Sequence, residues 1–268
     1  MRIDERIAAH HDELGPQERR AAATLLEHLD DLATYRAAEL AELAGVSRAT
    51  MSRLFRSLGF ADFDQVREHL RGLRGAGEPR RVEGAPDVAT LVAAEQAAIQ
   101  RALEHPRLPE VAGLVALAHR VLVVGWRNSY PVALHLREQL AQARDDVGIA
   151  PVPGQAIGEE LVGLGPDDVV VVVAFRRRPP HLGPFLEAAR DTGAAVVLLG
   201  DPSAVAHAAR ATVWVECPLQ STLAFDSYAA PMALVGLLAD SVLAACRRHG
   251  PARVRAITET YERLGEVE

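Results

Sequence analysis

A chain of 268 residues has room for one large domain or two modest ones, and a hydrophobic content of 49% is enough to bury a core. A net charge of −7 excludes a protein that is basic overall, so any contact with nucleic acid has to come from a local patch. The two cysteines, Cys217 and Cys246, lie far apart and exclude a disulfide framework and a CxxC zinc site. All 29 basic residues are Arg, so every cationic contact is a planar, many-donor guanidinium. The ten His are scattered without metal-ligand spacing, and no cofactor or metal is expected. The charged, amphipathic start MRIDERIAAHHDELG does not read as a signal peptide, and a reducing cytoplasm is the expected setting.

Residues 2–75 read as successive helices. Ala22, Leu25, Leu26 and Leu29 fall on one face after an opening Gly15-Pro16, where proline's missing N–H costs nothing. A further helix is expected at 61–73, with Phe63, Val66 and Leu70 inward. Residues 76–87 sit in a run rich in Gly, Pro and charge and read as a linker. Helix returns over 88–118 with a break at His105-Pro106. From Arg120 the pattern changes. β-Branched runs at 121–124, 148–152, 169–175, 195–199 and 212–215 alternate with amphipathic stretches near 130–143, 155–163, 181–191 and 203–209. Such alternation predicts an α/β fold with a doubly wound parallel sheet behind an all-α N-terminal domain. An apolar helix at Pro231–Cys246, serving as deep core or as a subunit interface, and a last helix at 251–264 complete the chain.

The stretch AAELAELAGVSRATMSRLFRSLGF (37–60) carries the sharpest local signal. Two short helices that cross closely need a small residue at the contact, which Ala41 provides, and a turn residue able to adopt positive φ, which Gly45 provides. Leu40, Ala44, Val46, Met51 and Leu54 fall on the core side, and Ser47 is placed to cap the second helix. Ser47, Arg48, Ala49, Thr50, Ser52, Arg53 and Arg56 are then the candidate DNA-contacting residues. Residues 44–81 hold eight Arg against four acids, a basic patch in an acidic chain.

Residues 14–70, with this helix-turn-helix and the following LGF-x-x-F of Leu58, Gly59, Phe60 and Phe63, resemble the N-terminal domain of the RpiR/MurR family of bacterial regulators. The resemblance implies a C-terminal sugar isomerase (SIS) domain, and residues 107–250 match it in length and strand order. The domain layout expected is a helix-turn-helix at 1–75 and an SIS-like effector-binding and dimerisation domain at 88–268. It also implies a homodimer or higher homo-oligomer, in keeping with two-fold operators.

Ligands of open parallel sheets bind beyond the strand carboxyl ends. After strand 121–124 come Gly125, Trp126, Arg127, Asn128 and Ser129. This is similar to a first SIS loop of the form G-x-G-x-S, with Arg127 in place of the second Gly. Ser129 is either an anion ligand at a helix start or a helix cap. After strand 169–173 come Ala174, Phe175, Arg176, Arg177, Arg178, Pro179 and Pro180. Here the resemblance implies S-x-S-G-x-T, and every hydroxyl of it is gone. Arg176 and Arg177, with Arg127, either clamp an acidic ligand or pair with acids such as Glu159, Glu160 or Asp226. Asp226 and Ser227 are further ligand candidates, or caps of the long apolar helix.

The function expected is a DNA-binding regulator sensing a small anionic, carbohydrate-derived metabolite. The rival is a sugar-phosphate isomerase or lyase, for which Glu159, Glu160 and His181 are the available bases. A third reading keeps the α/β domain for dimerisation alone.

Overall fold

A computed structural model describes the chain except residues 1–2, 30–31, 33–34, 67–68, 70–87, 153, 220–225, 247–248 and 267–268. The expected linker at 76–87 and Leu70 lie outside the described residues. Contacts divide the chain into two compact units. One holds residues 1–92 with 202–206 and 221–226, the other 93–201, 207–220 and 227–268.

The first unit begins with α1 (Ile3–His10) and α2 (Pro16–Glu27), then α3 (Ala37–Leu43) and α4 (Arg48–Ser57). Pro16 opens α2, and the Gly15 N–H is received by Glu18 at 3.0 Å. The core is made by Ile7, Leu25, Leu40, Met51, Leu54 and Phe55, each no more than 1% exposed. Phe55 stacks on Phe63 at 5.3 Å between ring centres.

Next come α5 (Val88–Leu103), whose residues from 93 onward belong to the second unit, and α6 (Leu108–Leu117), which flank the expected break at His105-Pro106. Then follow β1 (Val121–Gly125), α7 (Ser129–Ala143), β2 (Val147–Ala150), α8 (Gly158–Leu161), β3 (Val169–Val173), α9 (Leu182–Asp191), β4 (Ala195–Gly200) and β5 (Val213–Glu216). The chain ends in α10 (Ala229–Ala245) and α11 (His249–Leu264). All five strands are parallel in the order β2-β1-β3-β4-β5. The five valines of β3 are buried on both faces, each contributing about 1.5–3 kcal/mol of transfer free energy. On one face Val123, Val171 and Leu199 meet Leu136 of α7 and Leu238 of α10. Leu182, Gly183, Phe185, Leu186 and Ala189 are the buried residues of α9, which packs on β4. The apolar helix α10 is thus core on one side, while Met232 and Leu237 stay 39% and 37% exposed.

Two segments differ from their sequence pattern. The amphipathic run near 155–163 shrinks to one turn, α8, because Gly154 and Gly163 on its flanks take φ of +84° and +89°. Residues Pro202–Arg210 form a 3-10 helix rather than an α-helix. Among the described residues, no single helix is long and apolar enough to cross a membrane.

Candidate functional site

Helices α3 and α4 meet at the turn that the sequence predicts. Gly45 lies at φ +61°, with Gly45 N–H donating to Glu42 O and Val46 N–H to Ala41 O, both at 2.9 Å. This pair of bonds closes α3 with a glycine in the left-handed region. The Arg20 guanidinium lies over Gly45, where a Cβ would come 3.1 Å from Nη2. Ser47 caps α4, its hydroxyl accepting the Thr50 N–H at 3.1 Å. The C-terminal end repeats the device: Gly59 takes φ +78°, and Phe60 N–H reaches Phe55 O at 2.9 Å. Arg6 lies 4.5 Å from the Phe60 ring centre and donates to Leu58 O at 2.9 Å. Leu58, Phe60 and Phe63 are all buried, so the LGF-x-x-F stretch seals the foot of α4.

The outer surface of α4 carries Arg48, Ala49, Ser52, Arg53 and Arg56, all exposed, together with the capping Ser47. The helix contains no acid. Thr50 is a correction to the expected reading surface. It is 6% exposed, and its hydroxyl is shared with Ser47 at 2.9 Å, because the cap folds it inward. Val46, expected in the core, is only half-buried, and Phe55, not singled out from the sequence, fills the core position at 1% exposure.

The strand order reverses direction between β1 and β3, so the crevice of the second unit opens beyond those two carboxyl ends. Gly125 does not supply an unusual backbone angle there. It lets α7 approach: a Cβ would lie 2.7 Å from Ala133 Cβ and 2.9 Å from Ser129 O. Trp126 packs edge-on against His181 and Phe185, at 5.4 and 5.2 Å. Arg127 is exposed at φ +53°, and Asn128 is exposed at the N-cap of α7 without a side-chain capping bond. Ser129 opens α7 as expected but is 3% exposed, and its hydroxyl accepts the Phe175 N–H at 3.0 Å. It therefore ties the two loops together, which corrects its placement as a ligand-facing hydroxyl.

The arginine triplet after β3 splits by role. Arg178 donates to Asp201 Oδ2 at 2.8 Å and to Ala174 O at 3.1 Å. Its side chain is 14% exposed and that of Asp201 2%. Arg178 is thus met by Asp201, directly after β4. Glu160 pairs with Arg120 at 3.2 Å, and Glu159 is exposed. Arg176 is half-buried, and Arg177 is exposed at φ +62°. Ser227 accepts the Ala229 N–H at 3.2 Å and donates to Glu95 at 2.8 Å, so its hydroxyl serves the start of α10. Asp226 is exposed.

Sequence reasoning missed Asp201 and His207. An acid directly after an apolar strand, in Gly200-Asp201-Pro202, was the available signal for the first. His207 Nδ1 is buried without a hydrogen-bond partner among the described residues. Burial, with Arg178 and Arg210 adding to it, pushes its pKa down to about 4. The folded ring is neutral where the unfolded one, near 6.5, takes a proton. Stability of this unit is therefore expected to be complete above pH 6.5 and to fall as the pH drops toward 4. The loss is on the order of 2 kcal/mol once the water-exposed part of the ring is allowed for. Urea titrations at pH 7.5 and 4.5 check this: the difference should shrink by that amount in His207→Gln, and an identical pH dependence in the variant defeats the assignment. Cys217 lies at the same strand ends, and burial lifts its thiol to about 12, which removes it as a nucleophile. Among the described residues, no group of three His, Cys, Asp or Glu is placed to hold a metal.

Residues 1–73 match the helix-turn-helix domain of the rpiR family. The NanR protein of Vibrio vulnificus, whose structure was solved with ManNAc-6P, superposes with a TM-score of 0.60 at 17% identity over 98% of both chains. The sugar isomerase domain of an RpiR transcription factor from Sphaerobacter thermophilus superposes with a TM-score of 0.58 at 20% identity, covering 65% of this chain and 98% of that one. By sequence, the bifunctional protein glk of Paraburkholderia xenovorans is 29% identical over 98% of this chain. The chain spans 43% of the length of that relative. The first 73 residues thus match the rpiR-family helix-turn-helix domain, and the α/β unit after them has the fold of the sugar isomerase domain of an RpiR transcription factor.

Proposed function

We propose that the protein is a cytoplasmic transcription regulator. It binds double-stranded operator DNA through α4, as a homodimer or higher homo-oligomer, and senses a small anionic, carbohydrate-derived metabolite at the β1/β3 crevice. The observation that carries this reading is α4 itself: an acid-free helix, capped at both ends, with Arg48, Arg53 and Arg56 exposed. Such a helix presents guanidinium groups to phosphates and to the acceptor edge of guanine in the major groove. The sugar-phosphate complex of a protein with the same overall fold supports the effector class. Effector binding would shift the arrangement of the DNA-binding domains, and linkage then requires DNA to alter effector affinity by the same factor.

The same observations favour a regulator over an isomerase or lyase. Such chemistry needs a positioned base, and the available side chains have other surroundings. Glu160 is engaged by Arg120, His181 is packed on Trp126, and Glu159 is exposed on the single turn α8.

Selection of bound fragments from a random duplex library, followed by fluorescence anisotropy across salt concentrations, tests the reading. Affinity should fall steeply with salt, and Arg48→Ala and Arg53→Ala should each weaken binding by about tenfold. Absence of salt-sensitive duplex binding at low ionic strength would overturn it.

A further inference from the structure

Two residues of the crevice hold a backbone conformation that arginine disfavours. Arg127 lies at φ +53° and Arg177 at φ +62°, in the left-handed region where glycine is at ease and other residues are strained. One sits in the loop after β1 and the other in the loop after β3. These strands are neighbours whose ends are in register, Gly125 beside Val173. The loops are fastened to each other by the buried bond between Ser129 Oγ and the Phe175 N–H.

Around these two residues, several polar groups are committed to the fold. Arg178 is held by Asp201 and by Ala174 O, the Ala174 N–H goes to Leu199 O, and the Ser129 hydroxyl is engaged. From Ala174 to Pro180 there is no Ser or Thr. A cradle of loop hydroxyls is thus not available to a phosphate. Arg127 and Arg177 are both exposed, and neither side chain has a hydrogen-bond or ion-pair partner among the described residues. Their guanidinium groups are therefore open to an outside anion. Two like charges on adjoining loops repel each other, and an anion between them removes that cost.

We propose that Arg127 and Arg177 form a two-armed clamp for the anionic group of the effector, whether phosphate ester or carboxylate. This rests on the reading of the crevice as the effector site. The clamp selects charge first. A neutral sugar offers the two forks no acceptor of matching charge, whereas a phosphate or carboxylate takes paired N–H groups from each. Recognition then rests on the tips of two long side chains. Glycine at either position would remove the clamp while relaxing the backbone, so the two effects separate experimentally.

The test is calorimetric titration of the full chain with inorganic phosphate, glucose 6-phosphate and gluconate, with glucose as the neutral control. The variants are Arg127→Gly, Arg177→Gly and the pair together, each with its Tm measured. At least one anionic probe should bind the wild-type chain while glucose does not. Each single variant should weaken that binding about tenfold and the pair about a hundredfold, with Tm unchanged or raised. Preference for glucose 6-phosphate or for gluconate assigns the anion as ester or carboxylate. Equal binding by wild type and the double variant, binding of glucose as tight as that of the anions, or no binding of any anion would overturn the clamp. So would a lowered Tm with binding intact, which marks the arginines as structural. Duplex binding by the same preparations separates the two readings: if it persists while the clamp fails, the regulator stands and only the clamp is lost.

Discussion

Replacing Asp201 by alanine is expected to destabilise the second unit by about 3–5 kcal/mol, more than the loss of any exposed ion pair in the protein. The carboxylate is 2% exposed and faces Arg178 at 2.8 Å. Removing it takes this carboxylate away from a cation that is itself only 14% exposed. Arg178 also holds Ala174 O at 3.1 Å, so the start of the loop after β3 loosens with it. Surface pairs such as Arg210 with Glu187 lie in water and contribute about 0–1 kcal/mol each. Urea denaturation followed by tryptophan fluorescence measures the difference, because both tryptophans, Trp126 and Trp214, belong to this unit. Replacing both partners at once, Arg178→Met with Asp201→Leu, should recover much of the loss, since an apolar pair leaves no charge stranded. A cost below about 1 kcal/mol for the single variant would place Arg178 in better contact with water than the geometry allows.

Gly125→Ala should cost about 3 kcal/mol, at the upper end of what a single added methyl does in a packed interior. The new Cβ would stand 2.7 Å from Ala133 Cβ and 2.9 Å from Ser129 O, and a backbone oxygen has no rotamer to escape into. The helix α7 must lift from β1, taking the Ser129 hydroxyl away from Phe175. Gly183→Ala is the control. Its Cβ meets nothing nearer than 3.9 Å, and alanine is the better helix former, so that variant should be neutral or slightly more stable. The same fluorescence titration reads both, and a cost for Gly125→Ala no larger than for Gly183→Ala would show that α7 yields freely.

The strands were legible because a parallel sheet buries both faces, and runs such as Val169–Val173 have no other economical use. The turn between α3 and α4 was legible because only a few residues suit a left-handed stop, and Gly45 is one. Arg127 and Arg177 take the same backbone conformation, yet an arginine gives no sign of it. Only the resemblance, with Gly expected at both places, pointed there. The Asp201–Arg178 pair was hidden for another reason: the two residues sit at the ends of neighbouring strands, and charge complementarity across that gap has no sequence period. Thr50 was misplaced because helical periodicity gives the direction of a side chain but not the cap that draws it in. The role of Ser129 was legible as a helix start, while its bond to Phe175 depends on how closely two loops pass.

The order β2-β1-β3-β4-β5 also bears on how the sheet is assembled. No two neighbours are joined by a hairpin: Val121 has to find Val147 and Val169 across intervening helices, and closing such loops loses entropy before any contact compensates. Until then the run Val169–Val173 is an open, β-prone, uncharged segment, the kind through which chains aggregate. Asp167 and Asp168 precede it, and Arg176, Arg177 and Arg178 follow closely. Charges flanking such a run oppose its in-register parallel stacking, so the arginine triplet is expected to protect the unfinished sheet whatever its role in the folded chain.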